Sequence, residues 1–457
     1  MKKIIYSCTL VKSVEKGFSV PRLSVHVMPG GERVPMLQDE QGLPLFYPTL
    51  FATSQLRNAG AAVNTIRNKL AHLVVLLRWE QKQGRDLIAE FARGVLLSIA
   101  DVVSLRDFAK LDMRGYETGP DVSKRGDCDF LESRVGASDA QPAVGGQHHY
   151  NRLSAMADYL EFMAHVVTQH RNEAQTARDI ERMATAIRKH RPRGLASVHN
   201  DDRDERSPPT ALVDHFMSVV AESAPTNPFR DPGVRLRNAV IFGLLRHTGM
   251  RRGELLSLRI DQFDLGHEPQ VWVRRNHDDV RDPRRHQPVA KTKERPLPLP
   301  AVLAEQIQRY IMQVRAKIAP ARRHPYLLVT HHKGSIWGRP LSVSAINGVV
   351  FNYMRAVDPA FTAIHPHAFR HHFNYELSES IDAHNARVSK NEGGAGGAFI
   401  SEARELDVRA FLNGHRNKAS GATYNRRHTR ETSDKAIRQV QASLSPPRRT
   451  GKGQNEP

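Results

Sequence analysis

The chain has 457 residues, 40% of them hydrophobic and 25% charged, which suits a soluble globular protein of two or three domains and excludes one that stays disordered. No apolar run approaches the ~18–20 residues that span a bilayer, and the start Met1-Lys2-Lys3-Ile4-Ile5-Tyr6 is broken by Ser7 and Cys8 before a secretory core develops. Lys plus Arg is 67 against 48 acids, a net charge of +19 with a pI near 10.1, and such an excess points to a polyanionic partner, nucleic acid first.

The basic residues run along the chain instead of filling one tail, which favours a DNA-tracking surface on folded domains over a basic appendage. Two cysteines, Cys8 and Cys128, make neither a disulfide framework nor a cysteine zinc site, so a reducing cytoplasm is expected.

In chain order, residues 1–50 hold short alternating stretches such as Leu23-Ser24-Val25-His26-Val27 between glycines and prolines, the pattern of a strand-containing arm. Residues 51–190 read as a helical, DNA-binding domain. Ile66, Leu70, Leu73, Val74 and Leu77 recur at helical spacing in 61–80, with Arg57, Arg67, Lys69 and Arg78 as candidate phosphate contacts. Leu87–Leu97 and Leu105–Asp112 continue the helices, and 114–146 is a Gly-, Asp- and Ser-rich loop. Tyr150–His170 carries a stripe of Leu153, Met156, Ala157, Leu160 and Met163, and Glu173–Lys189 follows.

Residues 191–209, with Pro192, Gly194, a charged run and Pro208-Pro209, make the best linker in the chain. In 210–440, helices are expected at Thr210–Ala221, Arg235–His247, Val343–Val357, Ala368–Ser378, Ser401–Leu412 and from Ala422. A small antiparallel sheet is expected from Val271–Arg274 and Pro296–Leu299, with a further strand candidate at Tyr326–Thr330. Residues 441–457 read as a disordered basic tail. The class is therefore mainly α with a small antiparallel sheet, in two lobes joined by a linker.

Four segments of the second lobe carry chemistry. In Thr248-Gly249-Met250-Arg251, a helix ends on a tight turn and Arg251 opens the next helix. A planar, permanently charged guanidinium there matches two phosphate oxygens, although a surface arginine would read the same way. Lys291-Thr292-Lys293 offers a cation on a hairpin, able to act as a point charge or a proton donor to a scissile phosphate. In His365-Pro366-His367-Ala368-Phe369-Arg370-His371, His367 and Arg370 share a helix face. His367 and His371 have metal-ligand spacing, but Ala368 stands where a zinc protease needs Glu. In Asn413-Gly414-His415, glycine terminates a helix, and Tyr424 follows among Arg426, Arg427 and His428, where positive charge would favour a phenolate nucleophile.

Singly these signals are weak. In order they resemble the tyrosine recombinase (phage integrase) family: an arginine after a Thr-Gly turn, a hairpin lysine, His-x-x-Arg, Gly-His, and a tyrosine nine residues beyond that histidine. The matches are Arg251, Lys291, His367 with Arg370, His415 and Tyr424, and Glu254 matches the acidic residue common after the first arginine. The resemblance covers about 210–440, while 55–190 is similar to the family's core-binding domain only in helical character. There are two departures. The stretch from Lys291 to Pro298 is one residue short, which leaves Lys293 as an alternative lysine. A Gly-rich insertion, 391–398, precedes the last helix, and Asn413 replaces the family's usual leucine.

The resemblance implies a DNA recombinase that works through a 3′-phosphotyrosyl bond on Tyr424, without metal, ATP or other cofactor. It implies a homotetramer on specific double-stranded DNA sites, associated with the nucleoid, with accessory DNA-bending or partner recombinase proteins as further candidates and no membrane. Three rivals stay open at this point: a type IB topoisomerase, a catalytically silent DNA-binding regulator, and a metal-dependent nuclease built on the histidines.

Overall fold

The computed structural model describes residues 21–113, 142–171, 174–194, 207–390, 398–415 and 426–444. The expected loop centred on 114–141, the charged part of the linker, most of the Gly-rich insertion, Tyr424 and the basic tail from 445 lie outside the described residues. Residue contacts divide the chain into two compact units: residues 1–28 with 33–197, and residues 29–32 with 198–457.

The first unit opens with a hairpin. Strand β1 (Arg22–Val27) pairs antiparallel with β2 (Arg33–Gln38), Leu23 opposite Leu37. Helix α1 (Phe46–Phe51) runs on through a wide-turned stretch, 52–57, and α2 (Val63–Lys82) follows. The α2 stripe is turned from the expected one. Ile66, Leu70 and Leu73 are buried as the spacing suggests, but the stripe continues through Leu76 and Trp79, while Val74 and Leu77 are only partly covered. Trp79 gains from this, because it fills the core while its indole N–H donates to Ser104 Oγ at 3.1 Å.

Helices α3 (Leu87–Ala92) and α4 (Ile99–Lys110) come next. Helix α4 starts earlier than its apolar spacing suggested because Ser98 and Asp101 cap each other's backbone N–H groups, at 3.2 and 2.8 Å. Helix α5 (Gly146–Thr168) buries Leu153, Met156, Ala157, Leu160 and Met163. Helix α6 (Ala174–Lys189) lays Ile180, Met183 and Ile187 on the same core.

In the second unit, α7 (Thr210–Val220) packs on α8 (Pro232–Thr248), the central helix, which is buried on almost every side. Asp231 caps α8 through the Val234 N–H at 2.7 Å, and Pro232 sits at its first position, where its missing N–H is not needed. Helix α9 (Arg252–Ser257) leads to a three-stranded antiparallel sheet in the order β3 (Phe263–Asp264), β4 (Gln270–Val273), β5 (Arg295–Pro298). Strand β5 lies at the sheet edge, with no second neighbour among the described residues to need the N–H groups that Pro296 and Pro298 lack, and these prolines alternate with buried Arg295 and Leu297.

Helix α10 (Ala301–Arg309), α11 (Phe351–Val357) and the long α12 (Pro366–Lys390) complete the core. There Phe216, Phe242, Phe351, Phe361 and Phe369 meet, several edge to face. Helix α13 (Glu402–Asn413) and α14 (Arg426–Leu444) follow.

Tyr326–Thr330 is not a strand. It makes only single bridges, Arg259 with Tyr326 and Val329 with Pro340. Two of its carbonyls are taken by arginines, Arg315 Nε donating to Tyr326 O at 2.9 Å and an Arg237 terminal nitrogen to Val329 O at 3.1 Å, while Leu328 O and Thr330 O accept from the backbone of Leu341 and Gly338. Guanidinium groups thus satisfy part of the backbone that a regular ladder would pair. Among the described residues no helix is long and apolar enough to cross a membrane.

Candidate active site

Three chain turns and one loop meet at the head of α12. The first turn is Gly249-Met250-Arg251. Gly249 ends α8 at φ +57°, and a Cβ there would lie 2.5 Å from the Phe373 ring, so both conformation and space require glycine. Arg251 caps α9 in extended conformation, and its N–H donates to the Glu254 carboxylate at 2.9 Å.

The second turn is the start of α12, where the His365 ring accepts from the Ala368 N–H at 3.2 Å. His367 is exposed, with its ring edge-on to His371 at 4.5 Å. Arg370 points the other way and is fully buried. The third turn ends α13 at Gly414, φ +62°, where a Cβ would lie 2.6 Å from an Arg295 nitrogen.

Arg370 ties the three together. It donates to Gly249 O at 2.9 Å and Asn413 O at 2.9 Å, and one of its nitrogens lies 3.2 Å from His415 Nε2. Arg251 also donates to Asn413 O, at 3.3 Å. A guanidinium only donates, so His415 Nε2 accepts and the ring proton sits on Nδ1. Burial, and then the charges of Arg370, Arg251 and Arg295, push the His415 pKa down to about 4, so this imidazole is neutral near pH 7.

The loop is 274–294, and its lysine end is threaded through the site. Val289 O lies against Gly253, leaving no room for a Cβ. Thr292 is buried and donates its hydroxyl to Glu254, while Arg295 forms a buried ion pair with Glu254 at 3.1 Å and donates to Leu412 O at 2.7 Å. Burial alone would raise the Glu254 carboxyl, but Arg295, Thr292 and the Arg251 amide more than offset it, and its pKa falls. The Lys293 N–H donates to Gly414 O at 3.1 Å. Lys291 and Lys293 therefore flank the buried Thr292, both exposed, on a segment anchored beside His415.

Further back, Arg284 holds the same loop. It pairs with Asp282 at 2.8 Å, donates to Leu256 O and Leu341 O, and stacks over Tyr326.

An open cavity of about 630 Å³ is lined by Arg251, Arg252, Arg355, His365 and His367 among others. The structure thus brings Arg251 and Arg370 onto one carbonyl, sets Arg370 against His415, and places His367 with Arg251 on one cavity. Tyr424 lies outside the described residues, two positions before α14. That helix rests on α12: Tyr375 donates to Glu431 at 2.7 Å, and His428 pairs with Asp382 at 2.7 Å.

Sequence reasoning did not single out Arg295, Asn374 or Arg409, all buried, nor Arg252 and Arg355 on the cavity. Arg252 adjoins the flagged Arg251, a signal available from the start. The others are fixed by long-range partners. Among the described residues no three His, Cys, Asp or Glu side chains come together as a metal site.

In the first unit, Arg57 is exposed and Arg67 half-covered. Lys69 pairs with Asp158 at 2.9 Å, beside Arg188, and Arg78 is buried.

The phage integrase family model matches residues 227–386. Tyrosine recombinase XerC of Staphylococcus carnosus is 31% identical over 148 residues, 32% of this chain and 42% of that protein. Tyrosine recombinase XerD of Halalkalibacterium halodurans is 24% identical over 229 residues, 48% of this chain and 67% of that protein. The chain thus spans less than half the length of the first of these relatives. A solved structure of XerH site-specific recombinase bound to palindromic difH substrate, a post-cleavage complex, aligns at a TM-score of 0.40 with 12% identity, covering 85% of this chain and 93% of that one.

Proposed function

We propose that the chain is a tyrosine recombinase of the phage integrase type, as the family match over residues 227–386 supports, and that it is a site-specific DNA recombinase whose nucleophile is Tyr424. The phenolic oxygen, passing its proton to His367, attacks a DNA phosphodiester in line, forming a 3′-phosphotyrosyl bond and releasing a 5′-hydroxyl. Arg251 and His367 face the phosphate from the cavity, and behind them stand the Arg370 charge and the neutral His415 imidazole. Lys291 protonates the leaving 5′-oxygen, with Lys293 as the alternative. A 5′-hydroxyl from the partner strand then gives its proton back to the lysine and attacks the phosphotyrosine, and Tyr424 leaves, regaining its own proton from His367, which restores the backbone. The arginines and lysine supply the positive charge that other phosphoryl-transfer enzymes draw from Mg²⁺, so neither metal nor ATP is needed. The reaction partners are two DNA sites held by a homotetramer, and its use is integrating or excising a mobile element.

The observation that carries this reading is the convergence of Arg251 and Arg370 on one carbonyl, Asn413 O, beside His415. A suicide-substrate assay tests it: nicked DNA from the flank of the gene, in EDTA, resolved on a denaturing gel. The wild type should form a covalent adduct and Tyr424→Phe none. An adduct in the Phe variant would move the nucleophile elsewhere, and DNA binding without any adduct would favour a regulator.

A further inference from the structure

We propose that Asn374, Asn413 and Arg409 are positioning residues for strand cleavage, which hold the Asn413 carbonyl where Arg251 and Arg370 both grip it. This rests on the recombinase reading and extends it to residues that touch no substrate.

Asn413 is the last residue of α13. Its carbonyl is one of the acceptors that a helix leaves open at its C-terminus, on the negative end of the helix dipole, and so attracts guanidinium groups. Gly414 turns the chain immediately afterwards, so nothing further along the helix fixes that carbonyl. The side chain does. Asn413 Nδ2 donates to Asn374 Oδ1 at 2.7 Å and to Arg409 O at 3.0 Å, and Asn374 Nδ2 donates to Asn413 Oδ1 at 3.1 Å and to Arg370 O at 2.8 Å.

Asn374 stands one turn beyond Arg370 on α12. The amide pair therefore registers the acceptor carbonyl to the same helix that carries the guanidinium. Arg409 closes the network from α13. It donates to Asn374 O at 3.0 Å and is itself held by Glu405 at 2.6 Å. Arg370, Asn374, Arg409 and Asn413 are all at most 1% exposed, so the network lies beneath the surface and adds nothing to a DNA-contacting face.

This is also the position where the family resemblance leads one to expect leucine. A lone polar replacement in that setting would leave a buried amide without partners, at about 1–3 kcal/mol. Asn374 is the partner that makes it tolerable, so the two amides should behave as a unit.

The test uses the full chain and the variants Asn413→Leu, Asn374→Ala and the double variant, with two readouts. The first is the rate constant of adduct formation at saturating nicked DNA, beside the equilibrium affinity for the same DNA, at a temperature where melting curves show every variant folded. Each single variant should lose at least tenfold in rate with affinity within twofold. The double variant, with both amides removed together, should return to within about threefold of wild type.

The second readout is the His415 imidazole titration by NMR, assigned by difference from His415→Gln. It should lie near 4 in wild type and in the double variant and move toward its ordinary value in the single variants, as the arginines shift away from the ring. Single variants with unchanged rate and unchanged titration would overturn the proposal, as would a double variant whose losses simply add. A wild type that forms no adduct would defeat the recombinase reading instead, and the titration would still decide the positioning.

Discussion

Two sets of cations, one drawn from each unit, are held in opposite ways. In the second unit Arg370, Arg295 and Arg409 are fully buried, and each spends its donors on carbonyls and carboxylates that come from other turns of the chain. In the first unit Arg57 is exposed, Arg67 half-covered, and Lys69 shares Asp158 with Arg188 near the surface. A buried guanidinium bound to backbone has a fixed direction and feels its neighbours in a low dielectric. A surface cation is screened within about 8–10 Å at ordinary salt and contributes its charge but little geometry. The first arrangement suits stabilising one phosphate in a transition state. The second suits attraction to a long polyanion.

The sharpest way to break this comparison is to delete one cation from each class. Arg370→Ala should slow adduct formation at saturating DNA by about 10³-fold or more. Arg57→Ala with Arg67→Ala should leave that rate within about twofold. Equal losses from both would mean that the fixed Arg370 guanidinium has no special part in the chemistry.

A second comparison separates stability from charge. Glu254→Ala leaves Arg295 buried without its carboxylate and should cost about 3–5 kcal/mol of unfolding free energy, read by denaturant melts. A loss below about 1 kcal/mol would show that the pair contributes little and that the lysine loop is held by other contacts.

The exposed lysines allow a finer cut. Lys291→Ala should lower the cleavage rate about 10²-fold, and a substrate with sulfur at the 5′-bridging position, whose leaving group needs no proton, should recover most of it. If Lys293→Ala shows that rescue instead, the proton donor is the lysine whose amide is tied to Gly414 O.

The smallest effect belongs to the surface cations. Each of Arg57→Ala and Arg67→Ala should weaken binding to all DNA sequences alike and reduce the slope of log affinity against log salt by about one. An unchanged slope would remove that residue from the phosphate contacts.

The sequence made Arg251, Arg370 and His415 visible because each sits on a local signal: a Thr-Gly helix end, a proline-started helix, and a Gly-His terminus. Local spacing determines those turns, and the turns then meet in space. Arg295, Asn374 and Arg409 were not legible, because a buried polar residue has meaning only through partners such as Glu254, Asn413 and Ser378, which lie 31–41 residues away in the chain. The same blindness produced the strand expected at Tyr326–Thr330, whose β-rich composition is served by isolated bridges and by Arg315 and Arg237 in place of a regular ladder. The α2 stripe was misjudged by the weight of Trp79, which pulls the buried face round the helix.

The central claim is that DNA is joined to Tyr424, and the most direct measurement is to map the adduct. Wild-type protein trapped on a nicked half-site would be digested with nuclease and trypsin, and the nucleotide-bearing peptide sequenced by mass spectrometry. The account predicts a 3′-nucleotide phosphate on Tyr424, within the peptide that follows Lys418. A nucleotide found on any other residue would contradict it.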